Sequence, residues 1–423
     1  MDGAAAAGGV DVDFGGRRRT KVRSSSKHRL MSCFRPSSDL RDDSGLDGGD
    51  APQRIPTHLV VTINGIVGRS AKFAFDFVFC KICWSGLEKS VGNEMEYNAD
   101  NWRFAAKQFV KRYPEDVVVH CSECNCATLT FDGVDVMGER LAKEVRLVVK
   151  RRPALQKISF VGHSLGGLVA RYAIARLYER SVIQDCSDEN GSCKIKKSDE
   201  SSEHKLKGKI AGLEPVNFIT FATPHLGSRF HKQIPMLRGS HALEKMVFHI
   251  SGIAGRSGKH LFLKDHDEGK PPLLLRMTTD SGDLKFMSAL RSFHRRVAYA
   301  NARYDFIVGW KTSSIRRKYE LPKPSNFTKD AKYPHVVYVD KPKNTDVEQE
   351  DFAETLIYDP KSAAEMEELM IKGLNRVPWE RVDVSFRKSK QRVFAHSTIQ
   401  VKSKLLNSDG ADVIFHMIDN FLL

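Results

Sequence analysis

From about residue 57 onward, short continuous apolar runs alternate with longer stretches whose apolar positions recur at helical spacing. "THLVVTINGIVG", "DVVVHC", "ISFV" and "VNFITFATP" contain β-branched and aromatic runs of strand length. Between and after them, "GERLAKEVRLVVKR" and "GLVARYAIARLYER" have the periodicity of helices with one buried face. Strands and helices taking turns in this way predict an α/β fold, a mostly parallel central sheet with helices on both faces.

Three stretches depart from the pattern. Residues 1–54 are rich in Gly, Ser, Arg and Asp and poor in large apolar side chains, so they are expected to form a disordered leader ahead of a single domain at 55–423. Its basic, serine-rich tract has the composition of an organellar transit segment, but Asp2, Asp11, Asp13 and "SDLRDDSGLDGGD" count against that reading. Residues 185–209 are polar and charged and are expected to be a mobile surface insertion remote from any chemistry. Residues 228–295 hold short apolar pieces, "ALEKMVFHI", "HLFL" and "PPLLLRM", between Gly- and Pro-marked breaks, which suits a small helical cap. There are no internal repeats.

Composition narrows the class. With 423 residues and 41% hydrophobic content, the chain can bury a large core without staples. Eight scattered cysteines and an N-terminus without a basic-then-apolar signal pattern point to a reducing, intracellular and cytoplasmic setting. The apolar runs fall short of the roughly 20 residues that cross a bilayer, so any membrane contact is expected to be peripheral. A formal charge of +15 favours an anionic partner. The basic tracts do not interleave with aromatics as a nucleic-acid groove would, which leaves an anionic membrane or lipid-droplet surface, although loop-like tracts such as "RKSKQR" also read as plain solvated charge.

Candidate chemistry concentrates at one corner. In "KISFVGHSLGGLVARYAIARL", Gly162, His163, Ser164, Leu165 and Gly166 form G-x-S-x-G with a strand before and a helix after. That context predicts a nucleophile elbow, in which flanking glycines admit a turn too tight for a Cβ and the serine hydroxyl is lifted clear of the sheet. The amide of Leu165, opening the helix, is expected to face a developing oxyanion, with the amide of Ile66 after Asn64-Gly65 as second donor.

A serine hydroxyl needs a histidine to take its proton and a carboxylate to orient that histidine. On such a sheet the chain order is serine, acid, histidine. "RVAYANARYDFIVGW" reads as a strand running into a loop with Asp305, and "WERVDVSFRKSKQRVFAHSTIQ" as a last strand, a basic loop and His396, before the closing helix "GADVIFHMIDNFLL". Asp265, in "LFLKDHDEG", competes for the acid. His294, His335 and His416 are less well placed, His163 is expected to turn away from the site, and His225 in "ATPHLGS" to pack near it.

With Asn64-Gly65, "TFDGVDVMGERLAKEV", "GHSLGGLVARYA", "FITFATPHLG", "LFLKD", "YANARYDFIVG" and "FAHSTIQV" together, residues 56–423 resemble the eukaryotic putative serine esterase family, lipase-like members of the α/β-hydrolase superfamily. The resemblance implies an α/β-hydrolase fold and an esterase or lipase with Ser164 as nucleophile, Asp305 as acid and His396 as base. Such hydrolases commonly carry His-Gly after the first strand, and here the pair is Asn64-Gly65.

The expected function is therefore a serine ester hydrolase on an acyl lipid. Its rivals are a catalytically idle scaffold that binds lipid or protein, and an acyltransferase using the same residues. No nucleotide-binding motif occurs, and "HCSECNC", with His120, Cys121, Cys124 and Cys126, lacks the second ligand pair of a structural zinc site, so neither cofactor nor metal is expected.

Overall fold

The continuous apolar runs become the strands of one eight-stranded sheet because most of them are covered on both faces. The computed structural model describes residues 33–34, 55–66, 101–180, 208–228, 255–266, 269–342 and 362–423. In chain order the strands are β1 (Cys33–Phe34), β2 (His58–Ile63), β3 (Val117–Cys121), β4 (Lys157–His163), β5 (Glu214–Phe221), β6 (Arg295–Asn301), β7 (Val336–Asp340) and β8 (Glu380–Val384). Their spatial order is β1, β3, β2, β4, β5, β6, β8, β7. The six inner strands run parallel, and the two edge strands, β1 and β7, are antiparallel to their neighbours.

Alternation along each strand supplies two cores. In β2, Leu59, Val61 and Ile63 join one apolar cluster while Val60 joins the other, as a two-residue side-chain period requires. Helices α1 (Arg103–Arg112), α2 (Val134–Lys150) and α3 (Leu165–Leu177) follow β2, β3 and β4. The α2 and α3 helices fill the first cluster, with Leu141, Val145, Leu168 and Ile174, and α1 lies in the second through Ala105 and Phe109. The architecture is the expected α/β-hydrolase type.

The stretch at 228–295 is described only in part. Its described part contains α4 (Gly255–Leu261), α5 (Leu273–Arg276), α6 (Phe286–Arg291) and a two-residue hairpin, 280–281 with 284–285. Leu273, Leu274, Met277, Phe286 and Met287 are buried in the same cluster as α2 and α3, so this part is continuous with the core. Residues 229–254 and 267–268 of the stretch, and 185–207 of the expected insertion, lie outside the described residues.

Downstream, α7 (Trp310–Ser314) and α8 (Ala363–Leu374) precede β8, and α9 (Ala395–Thr398) and α10 (Ala411–Asp419) follow it. Cys33–Phe34 fall within the segment expected to be disordered and instead pair with β3 at His120 and Val119, extending an otherwise open strand edge. The rest of that segment lies outside the described residues. Among the described residues, no helix is long and apolar enough to cross a membrane.

Candidate active site

Ser164 stands between the end of β4 and the start of α3 with φ 54° and ψ −129°, a left-handed conformation that a residue with a side chain holds only when its surroundings impose it. The neighbouring glycines make the corner sterically feasible. A methyl on Gly162 would lie 2.7 Å from the Cα and N of Gly167, and one on Gly166 would lie 2.6 Å from the carbonyl oxygens of Ile63 and Asn64. The corner thus packs directly on the end of β2, and the Ser164 amide is tied to the next strand by donating to the Phe221 carbonyl at 2.8 Å.

The chain brings two distant groups to this serine. His396, on α9, places Nε2 3.0 Å from the Ser164 Oγ, and its Nδ1 lies 3.0 Å from the Asp305 Oδ2. Asp305 follows β6 and is held by its own loop, since the amides of Ile307 and Val308 donate to Oδ1 at 3.0 and 2.8 Å. Burial by itself would push the Asp305 carboxyl up; the adjacent His396 ring and the donors from Val308 and Asn301 outweigh burial and hold it below the usual carboxylate value. The result is an ionised carboxylate with four acceptor contacts, one of which orients the imidazole.

Two positioning contacts were not legible in advance. Asn301, the last residue of β6, donates through Nδ2 to the Asp305 Oδ2 at 2.9 Å and to the Ala395 carbonyl at 3.2 Å, joining the acid loop to the histidine segment. His163 does turn from the serine, but it turns toward His396: its Nε2–H donates to the His396 carbonyl at 2.7 Å, with ring centroids 4.7 Å apart. Burial, then the neighbouring His396 ring, holds the His163 imidazole well below its ordinary value, so it stays neutral and keeps that donor. A polar residue closing a buried strand beside a predicted acid was the available signal for Asn301.

The competitors go elsewhere. Asp265 is buried, its Oδ2 accepts from the Leu273 amide at 2.7 Å and lies 3.8 Å from His260 Nε2, so it fastens one part of the cap-like stretch to another. His294 faces Glu214, His335 binds Asp412 and His416 binds the Tyr299 hydroxyl. His225 is buried, with Nε2 3.0 Å from the Thr220 Oγ1 and its ring edge-on to Trp379. In the "HCSECNC" row, the strand-end groups converge on Glu144, which faces His120 at 3.2 Å and accepts from the Ser122 hydroxyl and the Glu123 amide. Among the described residues no three His, Cys, Asp or Glu side chains form a group that could hold a metal ion.

Of the expected oxyanion residues, Leu165 directly follows the serine and Ile66 follows Gly65. Leu165 is buried at the first position of α3, where amides lack intrahelical acceptors. Gly65 lies against Ser164: a methyl there would be 2.8 Å from its Cβ and 3.3 Å from its Oγ. Ile66, the next residue, is exposed, and Trp102 secures the end of β2 by donating from Nε1 to the Ile63 carbonyl at 3.1 Å.

The short helix carrying His396 is braced from behind by Gly410, at the entry to α10. A methyl on Gly410 would sit 1.7 Å from the Thr398 carbonyl oxygen and 3.3 Å from Val401 Cγ2. Gly410→Ala is therefore expected to destabilise the protein by about 3 kcal/mol, the upper end for overpacking. A thermal melt indistinguishable from the parent protein would show that the two segments separate freely.

A family model described as putative serine esterase matches residues 53–315. Two curated relatives from Saccharomyces cerevisiae are similar: putative lipase ROG1 is 30% identical over 230 residues, covering 54% of this chain and 27% of its own, and putative lipase YDL109C is 30% identical over 240 residues, covering 54% and 29%. The chain thus spans between a quarter and a third of the length of these relatives. Among solved structures, Bacillus licheniformis lipase BlEst2 in its propeptide form matches at 13% identity and a TM-score of 0.29, over 60% of this chain and 37% of that one.

Proposed function

The chain belongs to the putative serine esterase family, and from that premise we propose that it is a serine ester hydrolase whose substrate is an acyl-lipid ester. The observation that carries this reading is the line of contacts from Ser164 Oγ through the His396 ring to Asp305, each 3.0 Å. A binding module has no use for a strained serine aligned with a base and a buried carboxylate. The curated relatives, named as putative lipases, point to the same substrate class.

In this mechanism His396 Nε2 takes the Ser164 proton as Oγ attacks the ester carbonyl. Asp305 holds the ring with Nδ1–H toward itself and stabilises the imidazolium that forms. The tetrahedral oxyanion is bound by the amides of Leu165 and Ile66, each contributing about 3 kcal/mol of barrier lowering. His396 then returns the proton to the leaving alcohol, and a water deprotonated by the same ring hydrolyses the acyl-enzyme on Ser164. His163 and Asn301 act through the histidine segment as positioning residues.

The test is labelling with a fluorophosphonate probe, which reacts with activated serines. Folded wild-type protein is expected to be labelled, and Ser164→Ala is expected to lose both the label and ester turnover, the latter by roughly 10⁶-fold in kcat. Folded wild-type protein that takes up no label would favour an idle scaffold.

A further inference from the structure

The segment that delivers His396 has a surface the chemistry does not require. From Arg387 to Leu406 the chain contains no aspartate or glutamate, and it carries six lysines and arginines, of which Arg387, Lys388, Lys390, Arg392 and Lys404 are exposed. Four apolar side chains in the same span also face solvent: Val393 at 52%, Phe394 at 41%, Leu405 at 76% and Leu406 at 39% exposure.

These positions form two limbs on either side of α9, and the limbs are pinned together. Gln391 Nε2 donates to the Ser408 Oγ at 3.0 Å and its Oε1 accepts from the Asp409 amide at 3.0 Å. Asp409, the next carboxylate along the chain, is engaged by the Ser389 hydroxyl at 2.5 Å. Arg392 lies over the Tyr304 ring at 5.6 Å, which anchors the first limb to the loop of Asp305. The apolar and basic residues are thus displayed by a braced scaffold beside the Ser164–His396 pair.

A single exposed leucine needs no explanation, but four large apolar side chains within fourteen residues, ringed by cations and next to a reactive serine, do. We propose that this face docks the protein on an anionic lipid bilayer, with Val393, Phe394, Leu405 and Leu406 entering the interfacial region and the flanking lysines and arginines meeting the headgroups. The charge excludes the simplest alternative, since a second copy mating through the same face would oppose cation to cation. Nucleic acid would want aromatic stacking, and three of the four exposed apolar side chains are aliphatic. Docking here would present the serine to an ester still in the membrane. In purpose the proposal rests on reading Ser164 as a lipid-ester nucleophile, yet the binding can be measured without turnover.

The experiment uses the full chain carrying Ser164→Ala, sedimented with vesicles of phosphatidylcholine alone or with about one-third phosphatidylserine. Binding is expected to be at least about tenfold tighter on the anionic vesicles and to weaken as salt rises. Combining Lys388→Glu, Lys390→Glu and Lys404→Glu is expected to weaken it by about a hundredfold. Leu405→Ser with Leu406→Ser is expected to lower it about tenfold with an unchanged circular dichroism spectrum. Parent-like binding by both variants would overturn the proposal and move the contact to another basic tract. A dimer that dissolves in the leucine variant without lipid would assign the face to self-association. Competition by duplex DNA, with the leucine changes silent, would assign it to polyanions. Vesicle binding that follows these expectations in a protein that takes up no fluorophosphonate would leave the docking face standing while the esterase reading falls.

Discussion

Asp305→Asn is expected to lower kcat on a short soluble ester by about ten-thousandfold while the protein stays folded, the size of loss that the wrong imidazole tautomer produces in a serine protease. In the native site the Asp305 Oδ2 receives the His396 Nδ1 proton, which leaves Nε2 free to accept from Ser164. An amide can keep its oxygen toward the Ile307 and Val308 amides, but its nitrogen then faces both His396 and the Asn301 Nδ2. The ring responds by placing its proton on Nε2, and the serine loses its acceptor. Asp265→Asn serves as the control. Its carboxylate holds the Leu273 amide and reaches no part of the serine's surroundings, so kcat should stay within about threefold of wild type, with about 1 kcal/mol lost from stability. Steady-state kinetics on both variants, with circular dichroism as the check on folding, decide between them. Retained turnover in the Asp305 variant together with its loss in the Asp265 variant would transfer the acid's role to the cap-like stretch.

The elbow was legible because its constraint is local. Gly162 answers to Gly166 and Gly167 in the same turn, and although Gly166 also meets the Ile63 and Asn64 carbonyls and Gly167 the Thr223 side chain, five consecutive residues between strand and helix disclose the geometry. The parallel core was legible for a related reason: strands buried on both faces are mostly apolar, and all six residues of β2 and all five of β3 are buried, with only His58, Thr62 and His120 polar. His396 and Asp305 could be placed only through chain order, because the contacts that define them span 232 and 91 positions. The positioning contacts of His163 and Asn301 were not placed. Each makes its decisive hydrogen bond to a backbone carbonyl on the segment at 395–396, and a backbone acceptor leaves no trace in residue identity. The edge strand β7 was equally silent, since its half-exposed residues carry no uniform pattern and its pairing to β8 slips register between Val336 and Tyr338.

Acidification is expected to unfold this protein near pH 5, through histidines that the proposed chemistry does not use as bases. Burial, and then the charge of Lys157, lowers His58 to about 3. Its partner explains the cost of a proton there: the Ser159 hydroxyl already accepts from the Asn217 amide and side chain, so it must donate to His58 Nε2, which has to stay unprotonated. His163 and His225 are lowered well below 6.5 by burial, the first also by His396 and the second by the Arg171 guanidinium. A histidine whose folded value is depressed contributes stability that is complete above its unfolded value of about 6.5 and is lost progressively as the pH falls toward the folded value. Between neutral pH and about pH 5, each of the three therefore withdraws about 2 kcal/mol, about 6 in all, against a total stability of about 5–15 kcal/mol. His260 and His416 are lowered by burial too, and add to the loss. Denaturant midpoints taken from about pH 7.5 to about pH 5 should fall steeply below about pH 6.5, and His58→Gln should flatten the slope by about 1.4 kcal/mol per pH unit. A midpoint that holds level down to about pH 5 would mean that these rings find proton-compatible partners as the structure relaxes, and that burial alone does not govern them.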